Sequence, residues 1–335
     1  MFNQELIRMK EERLNQDHKI VLVMGNGFDL DLGLKTSYKS FIDSTYFKER
    51  LKKESNIGDD SNVFSYLYEK IGLKQWIDIE QELLTLATLK KKVRNHKGNL
   101  VDGLNKANID LEYTFDCLLT ELCNYLQSLD YNNIKINSTA LKILKAVVSY
   151  PNSEIISYNY TDIMRLAPII KTAIDCPIEY VHGSLRDRSI ILGFQDDVEI
   201  DKSFCFMIKS FNPNFRSHNV RAKLLDADEI IFFGHSLGST DYHYFEDLFR
   251  YQSQPDKANQ NLVLRIFTYD ENARRDILFQ LRKMNNKRTD MIYELCDFEI
   301  YRTESGVDEY KITKYLEELV NRISMLQPIP PVLPV

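Results

Sequence analysis

Short apolar runs rich in Ile, Val, Phe and Tyr recur along the chain and predict β-strands. One lies near the N-terminus, and the others follow residue 150, where they alternate with helical patterns; the predicted strands are residues 20–24, 154–157, 178–181, 190–193, 229–233, 262–268 and 297–301. Strands that alternate with helices are typical of a parallel sheet covered by helices. The pattern therefore predicts an α/β protein with three layers and a mostly parallel sheet of about six strands.

The stretch between the first two predicted strands has a helical periodicity instead. Apolar residues recur there at steps of three and four, from Trp76 to Leu86 and again from Leu111 to Leu126, as on one face of an amphipathic helix. We therefore predict a helical insertion or cap at residues 37–149 and an α/β core formed by residues 1–36 and 150–326. The tail QPIPPVLPV, residues 327–335, cannot continue a helix and is predicted to be an extended arm.

Composition narrows the function classes. The 335 residues carry a net charge of −6 with no long basic block, which disfavours nucleic acid as a partner. The charged N-terminus lacks the apolar core of a signal peptide, and the apolar runs are shorter than the ~20 residues of a membrane span. The five cysteines are scattered and form no CxxC pair, so no zinc site is predicted. We expect a cytoplasmic protein without membrane contact.

Polar residues follow six consecutive predicted strands, at the point where each strand ends. Gly, Asn, His, Ser or Asp occur at residues 25–29, 158–162, 182–184, 193–195, 234–241 and 269–270. Loops favour these residue types in general. In open α/β sheets, however, ligands bind outside the carboxyl ends of the strands. The sequence therefore predicts a binding site along this edge of the sheet.

The first of these turns is Gly25, Asn26, Gly27, Phe28 and Asp29. A glycine-rich turn between a strand and a helix can present backbone N–H groups to phosphate. The third glycine of the dinucleotide fingerprint is replaced by a leucine here. The turn is thus either a phosphate-binding loop or a tight turn that needs glycine for its backbone conformation.

The fifth predicted strand is followed by Gly234, His235, Ser236, Leu237 and Gly238, which matches the nucleophile elbow of α/β-hydrolases. That fold needs a histidine later in the chain, and no histidine follows residue 243. We therefore interpret Ser236 as a hydroxyl donor to a ligand or as a helix cap, not as a nucleophile.

A metal site is the other interpretation of this region, with His235, Asp241 and His243 as ligands. No HExxH motif or paired Cys/His spacing supports it. Asp241 stands directly before the helical pattern YHYFEDLF and is predicted to be its N-cap.

Several segments resemble the AbiH proteins, which are associated with abortive infection, a bacterial defence that stops infected cells before phage spread. The resemblance lies in VMGNGFDL at 23–30, GLKTSY at 33–38, WIDIE at 76–80, SYNYTD at 157–162, His182 with Gly183, and FGHSLG at 233–238. It implies that this chain is a phage-defence protein.

The same positions are similar, more distantly, to the sirtuin-like NAD fold. Gly25, Gly27 and Gly33 keep the glycine spacing of that fold, with Asp29 in place of its serine. His182 with Gly183 resembles its catalytic His-Gly pair, and Asn159 resembles the asparagine of its T-Q-N-x-D loop. The four-cysteine zinc module of deacetylating sirtuins is missing from the sequence. The resemblance therefore implies a Rossmann-like, sirtuin-like NAD-hydrolase site without metal.

This resemblance implies a site in which His182 and Asn159 are catalytic and NAD is the substrate. The residues that it implies for nucleotide binding lie at four strand ends: Gly25, Asn26, Gly27, Phe28, Asp29, Asp162, Gly234 and Ser236. Trp76 is interpreted as a core residue, whereas Glu80 either faces the cleft or makes a structural pair.

The leading functional prediction is hydrolysis of NAD at the bond between nicotinamide and ribose, by a phage-defence effector. A nucleotide-sensing or partner-binding module without turnover is the first alternative, and a nuclease is the second. A nucleotide is the predicted small-molecule partner, and a homo-oligomer or a protein partner is a candidate for activation.

Overall fold

A computed structural model describes residues 18–57, 61–71, 78–96, 101–238 and 240–326. Trp76 and the predicted arm at 327–335 lie outside the described residues.

Six parallel strands form one open sheet. They are β1 (Ile20–Met24), β2 (Ser153–Ser157), β3 (Ile178–Tyr180), β4 (Glu229–Phe233), β5 (Val263–Thr268) and β6 (Asp297–Arg302). The order across the sheet is β3-β2-β1-β4-β5-β6, and neighbouring strands pair in parallel throughout. The predictions of an α/β class and a parallel sheet are confirmed. The strand order reverses between β1 and β4, and ligands of such sheets bind at that point, beyond the carboxyl ends.

Helices connect and cover these strands. They are α1 (Asn26–Asp31), α2 (Tyr38–Asp43), α3 (Thr45–Lys53), α4 (Val63–Ile71), α5 (Ile79–His96), α6 (Val101–Gln127), α7 (Thr139–Val148), α8 (Ala167–Ile170), α9 (Val220–Leu225), α10 (Tyr242–Gln252), α11 (Glu271–Met284), α12 (Thr289–Leu295) and α13 (Glu309–Leu326). Within the described ranges, none of these helices combines the length and apolarity needed to cross a bilayer.

The two faces of the sheet pack against separate apolar clusters. In β1, Ile20 and Leu22 join the cluster that contains residues of α7 and α13, whereas Val21 and Val23 join the cluster that contains residues of α9 to α12. All five residues of β1 are buried. A strand covered on both faces has this continuous apolar character rather than an alternating one.

A third apolar cluster lies away from the strands, among helices α2 to α6 and the loop at residues 185–208. Phe47, Leu83 and Leu118 meet Leu192 and Phe194 there. α7 also falls within the predicted 37–149 segment, but its apolar residues belong to a sheet cluster.

The loop explains one error of the sequence prediction. Residues 190–193 were predicted to be a strand, and they form none. Ile190 and Leu192 are buried against the helical cluster, and the N–H of Ile191 donates to the carbonyl of His182 over 2.9 Å. The apolar run thus reflects burial of an irregular loop that crosses the carboxyl edge, because burial alone does not distinguish a loop from a strand.

Candidate functional site

The turns after β1 and β4 are packed backbone to backbone, at the place where the strand order reverses. The N–H of Gly27 donates to the carbonyl of Gly234 over 2.9 Å, and the N–H of Gly25 donates to the carbonyl of Phe233 over 3.0 Å. A Cβ atom at Gly27 would lie 2.6 Å from Cα of Gly234, which is too close for any side chain. The glycines therefore let the two turns touch, and these two N–H groups are already bonded within the protein.

Asn159, after β2, ties a third turn to this pair. Its Nδ2 donates to the carbonyl of Gly25 over 3.0 Å, and the hydroxyl of nearby Thr161 donates to Oδ2 of Asp29 over 2.9 Å. Burial raises the pKa of Asp29 to about 7, against the opposing effect of hydrogen bonds from Thr161 and Asn159. Two residues that the sequence predicted near the ligand, Asn159 and Asp29, thus lie together in a buried network.

The other predicted binding residues are dispersed around this network. Asn26 accepts a hydrogen bond from Thr36 over 2.6 Å in an exposed position, and Phe28 is a core residue whose ring contacts Phe233 edge-on. Asp162 accepts from the N–H of Met164 over 3.0 Å and so caps a short 3₁₀ turn.

Ser236 is exposed. The helix that follows begins only at Tyr242, so Ser236 does not occupy the sharp strand-to-helix elbow of a serine hydrolase. The N-cap position of that helix belongs to Asp241, which removes the helix-cap interpretation of Ser236.

His182 lies beyond β3 and is 6% exposed. Its Nε2 is 3.1 Å from the Nζ of Lys209 and 3.0 Å from Oδ1 of Asp241. A lysine ammonium can only donate, so Nε2 accepts and we assign the ring proton to Nδ1. Burial, together with the charge of Lys209, lowers the pKa of His182. The ring is therefore neutral at pH 7.

Asp241 was predicted to cap the following helix, α10. The predicted position is correct, but the side chain makes no capping hydrogen bond. The carboxylate instead lies among charged and polar side chains, with Oδ2 3.6 Å from Nε2 of His235 and Oδ1 3.7 Å from Nζ of Lys209. Burial alone would raise the pKa of Asp241, but Lys209 and His182 outweigh it and hold that pKa well below its ordinary value.

His235 has its tautomer fixed by the backbone. Its Nδ1 accepts a hydrogen bond from the N–H of Leu237 over 3.0 Å, so the neutral ring carries its proton on Nε2, which faces Asp241. Leu237 has a φ of 51°, an unusual left-handed conformation for a leucine. The backbone thus stores strain beside the two histidines, as is frequent at functional sites.

Lys209 and Glu80 complete the group. Lys209 is 1% exposed, and its Nζ donates to Oε2 of Glu80 over 3.0 Å. Burial raises the pKa of Glu80 to about 7; Lys209 opposes this shift, while Asp241 and Asp78 add to it. We call Glu80, His182, Lys209, His235 and Asp241 the Lys209 cluster. Glu80 was predicted either to face the cleft or to make a structural pair. It makes a pair, and its partner is Lys209, which also contacts His182.

Three oxygen atoms at the Lys209 cluster are buried without a hydrogen-bond partner among the described residues: Oε1 of Glu80, Oδ1 of Asp241 and Oη of Tyr158. The ring of Tyr158 packs against both cluster histidines, with centroids 5.3 and 4.5 Å away. Buried polar groups are nearly always paired, so these three atoms leave hydrogen-bonding capacity unused within the described residues.

Sequence reasoning missed Lys209 and assigned Asp241 a different role. A usable signal for Lys209 was its isolation in the apolar run FCFMIKSF at 204–211. Such a run predicts burial, and a buried lysine is almost always paired with another polar group. For Asp241 the signal was its place in the same strand-end loop as His235. Within the described residues, no group of three or more His, Cys, Asp or Glu side chains is placed to hold a metal ion.

The fold and the Lys209 cluster define an α/β protein with a buried group of ionisable side chains at the carboxyl edge of a parallel sheet. A family model described as bacteriophage abortive infection AbiH matches residues 21–260. Because that match covers well over half of the chain, the chain belongs to the AbiH family, and its role is in abortive infection against phage. A search of curated proteins found no match.

Proposed function

We propose that this protein hydrolyses NAD at the bond between nicotinamide and ribose, in a Rossmann-like site of the sirtuin-like kind. The observation that carries the proposal is the placement of His182. Its neutral ring lies at the carboxyl edge of the sheet, with Nε2 3.0 Å from the ionised carboxylate of Asp241.

The reaction needs a base more than an acid. The bond from C1′ of the ribose to the pyridinium nitrogen breaks, and its electron pair goes to that nitrogen, so nicotinamide leaves as a neutral molecule. Positive charge develops on the ribose, and a water oxygen bonds to C1′. The water must then lose one proton, which a neutral imidazole near pH 7 is suited to accept.

His182 is arranged to take that proton. For Nε2 to accept the proton, the ammonium of Lys209 must first move off that nitrogen, which it contacts over 3.1 Å. Lys209 keeps its contact with Glu80 meanwhile. The imidazolium that forms lies 3.0 Å from Oδ1 of Asp241, and the negative charge of that carboxylate stabilises it. Asp241 is therefore the residue that stabilises charged His182.

The remaining predicted residues act at the rim of this site. Asn159 holds the turn at Gly25 through its Nδ2, while its Oδ1 is the atom by which it would accept a ribose hydroxyl. Gly25, Gly27 and Gly234 keep the first and fourth strand ends in contact. The proposed nucleotide would lie along this line of strand ends, next to the Lys209 cluster.

The test is incubation of the purified full-length protein with NAD, ATP and RNA, followed by chromatography of the products. We expect nicotinamide and ADP-ribose in equal amounts from NAD, and no release from the isosteric variant Asp241→Asn. If the protein binds NAD but releases no nicotinamide, the sensing alternative replaces this proposal; cleavage of RNA would select the nuclease.

A further inference from the structure

The charges around the Lys209 cluster are not balanced. Glu80 and Asp241 both lie beside one ammonium, that of Lys209, which also contacts Nε2 of His182. Asp78 belongs to the same group, because both Lys209 and Asp241 act on its pKa, although burial is the largest influence. Its carboxylate also caps α5 by accepting the N–H of Glu80 over 3.0 Å. Because burial raises the pKa of Glu80 to about 7, the group holds more negative than positive charge at pH values above that, where Glu80 is ionised.

Aromatic side chains line the same region. Tyr38 and Tyr160 are hydrogen-bonded to one another, and Glu80 acts on the pKa of both, after burial as the main cause. Tyr158 lies on the side of the histidines. Faces of tyrosine rings attract cations, most strongly where water is excluded.

Glu80 and Asp241 each have a buried carboxylate oxygen without a hydrogen-bond partner among the described residues. In Glu80, Oε2 is held by Lys209, and Oε1 is the oxygen without a partner in the described part of the chain. A buried carboxylate oxygen is costly to leave unpaired. An acidic cluster with tyrosine rings and a free carboxylate oxygen suits a flat cation and repels phosphate.

We propose that Glu80, together with the nearby ring of Tyr158 beside the cluster histidines, forms a subsite for a cationic aromatic ring, which selects pyridinium nucleosides over neutral ones. The inference rests on the proposed function, in which that ring is the nicotinamide of oxidised NAD. It assigns the helical segment a direct role, because Glu80 is supplied by α5 and not by a strand end. It also predicts that the phosphates of the substrate lie away from Lys209, toward other strand ends.

The test compares two probes of nearly the same shape, 1-methylnicotinamide, which is methylated on the ring nitrogen and is a cation, and nicotinamide, which is neutral. Binding to the full-length protein is measured by calorimetry or ligand-observed NMR at pH 8. We expect the cation to bind more tightly to the wild type, and Glu80→Gln to weaken that binding roughly 10- to 100-fold, the usual worth of a charged contact. Binding of neutral nicotinamide should hardly change.

Two further variants control for folding. Glu82→Gln removes the same charge from the same turn of α5, but Glu82 accepts from Tyr66 over 3.2 Å, outside the cluster, and should keep the cation preference. Glu80→Asp keeps the charge and should retain part of the preference. Thermal midpoints show that each variant is folded.

The outcomes separate the two proposals. Equal binding of both probes by the wild type, or an unchanged preference in folded Glu80→Gln, overturns the cation subsite even if NAD is hydrolysed. A preference that depends on Glu80, without any release of nicotinamide from NAD, supports the subsite and contradicts the hydrolysis.

Discussion

Two groups of buried charged side chains lie at opposite ends of the same strand, β4. At its amino end, Glu229 is fully buried, and Tyr315 donates to its Oε1 over 2.6 Å. Its Oε2 lies 2.7 Å from Arg322 and 3.3 Å from His18. We call these four residues the Glu229 cluster. Beyond the carboxyl end of β4 lies the Lys209 cluster.

The two clusters are buried to a similar extent, but they differ in whether their carboxylate oxygens have hydrogen-bond partners. Both carboxylate oxygens of Glu229 have partners, and those hydrogen bonds outweigh burial to lower its pKa to about 2. In the Lys209 cluster one oxygen of Glu80 and one of Asp241 have no hydrogen-bond partner among the described residues, and burial raises the pKa of Glu80 to about 7. A fully satisfied network stabilises the fold, whereas an unpaired buried polar atom costs free energy. The comparison therefore assigns stability to the first cluster and makes the second the place for the proposed chemistry.

The largest expected effect is on catalysis, from His182→Ala. We expect the rate of nicotinamide release from NAD to fall roughly 10²- to 10⁴-fold, the usual worth of a general base, while the thermal midpoint falls only in part, because the ring is buried. Combining it with Asp241→Asn should add little, because the two residues act as one unit. His218→Ala is the control, since His218 pairs with Glu179 outside the cluster. A lower thermal midpoint with unchanged activity per folded molecule would mean that His182 stabilises the fold and has no part in catalysis.

The next effect is on stability, from Arg322→Ala. This variant leaves a fully buried carboxylate, that of Glu229, without its main cation. We expect the free energy of unfolding in urea to fall by about 3 kcal/mol, the low end for a broken buried pair, because the guanidinium itself is partly exposed. Lys311→Ala breaks the exposed pair with Glu299 and should cost less than about 1 kcal/mol. Loss of NAD turnover in folded Arg322→Ala would show that the amino end also serves catalysis.

The two clusters should also respond to pH in opposite directions. The pKa of Glu229 falls from its ordinary 4.5 to about 2, so its contribution is present above pH 4.5 and is lost as pH falls toward 2. The pKa of Glu80 rises from 4.5 to about 7 through burial, with Lys209 opposing and Asp241 and Asp78 adding. Its contribution is present below pH 4.5 and is lost as pH rises through 7.

Urea unfolding across this pH range measures both trends against isosteric variants. Glu229→Gln should flatten the acid limb, and Glu80→Gln should flatten the decline between pH 4.5 and 7. Parallel changes in both variants would mean that the two carboxylates share one environment, contrary to the comparison.

The fold was predictable from the sequence to the extent that apolar runs coincide with paired strands. Runs such as 20–24 and 229–233 are strands because both faces of the sheet are covered. The run at 190–193 failed because its side chains fill the helical cluster while its backbone pairs with no strand. Apolar pattern reports burial, and only the topology decides what a buried segment pairs with.

The site was predictable only where it follows strands directly. His182 was predicted because it follows β3 closely. Glu80 and Lys209 are 129 positions apart in the chain and meet because α5 packs near the loop that carries Lys209. A lone lysine and a helical glutamate usually indicate solvent-exposed positions. Asp241 was misassigned because aspartate before a helix is most often a cap. The carboxylate instead faces a lysine whose position no local pattern fixes.

The smallest expected effect is that of Asn159→Ala. This variant tests, at the carboxyl edge itself, whether a residue with a hydrogen-bond partner has a structural role. Asn159 lies at the carboxyl edge, yet its Nδ2 is satisfied by the carbonyl of Gly25. If a side chain with a hydrogen-bond partner has a structural role at either end of β4, Asn159→Ala should lower the free energy of unfolding by about 1 kcal/mol, the worth of one hydrogen bond. Turnover of NAD per folded molecule should then fall far less than in His182→Ala. Ribose binding through Oδ1 predicts the reverse, a large loss of turnover with a nearly unchanged unfolding curve. Measuring the unfolding free energy and the turnover on one preparation therefore decides whether Asn159 has a structural role, although it lies at the carboxyl edge, or acts on the substrate.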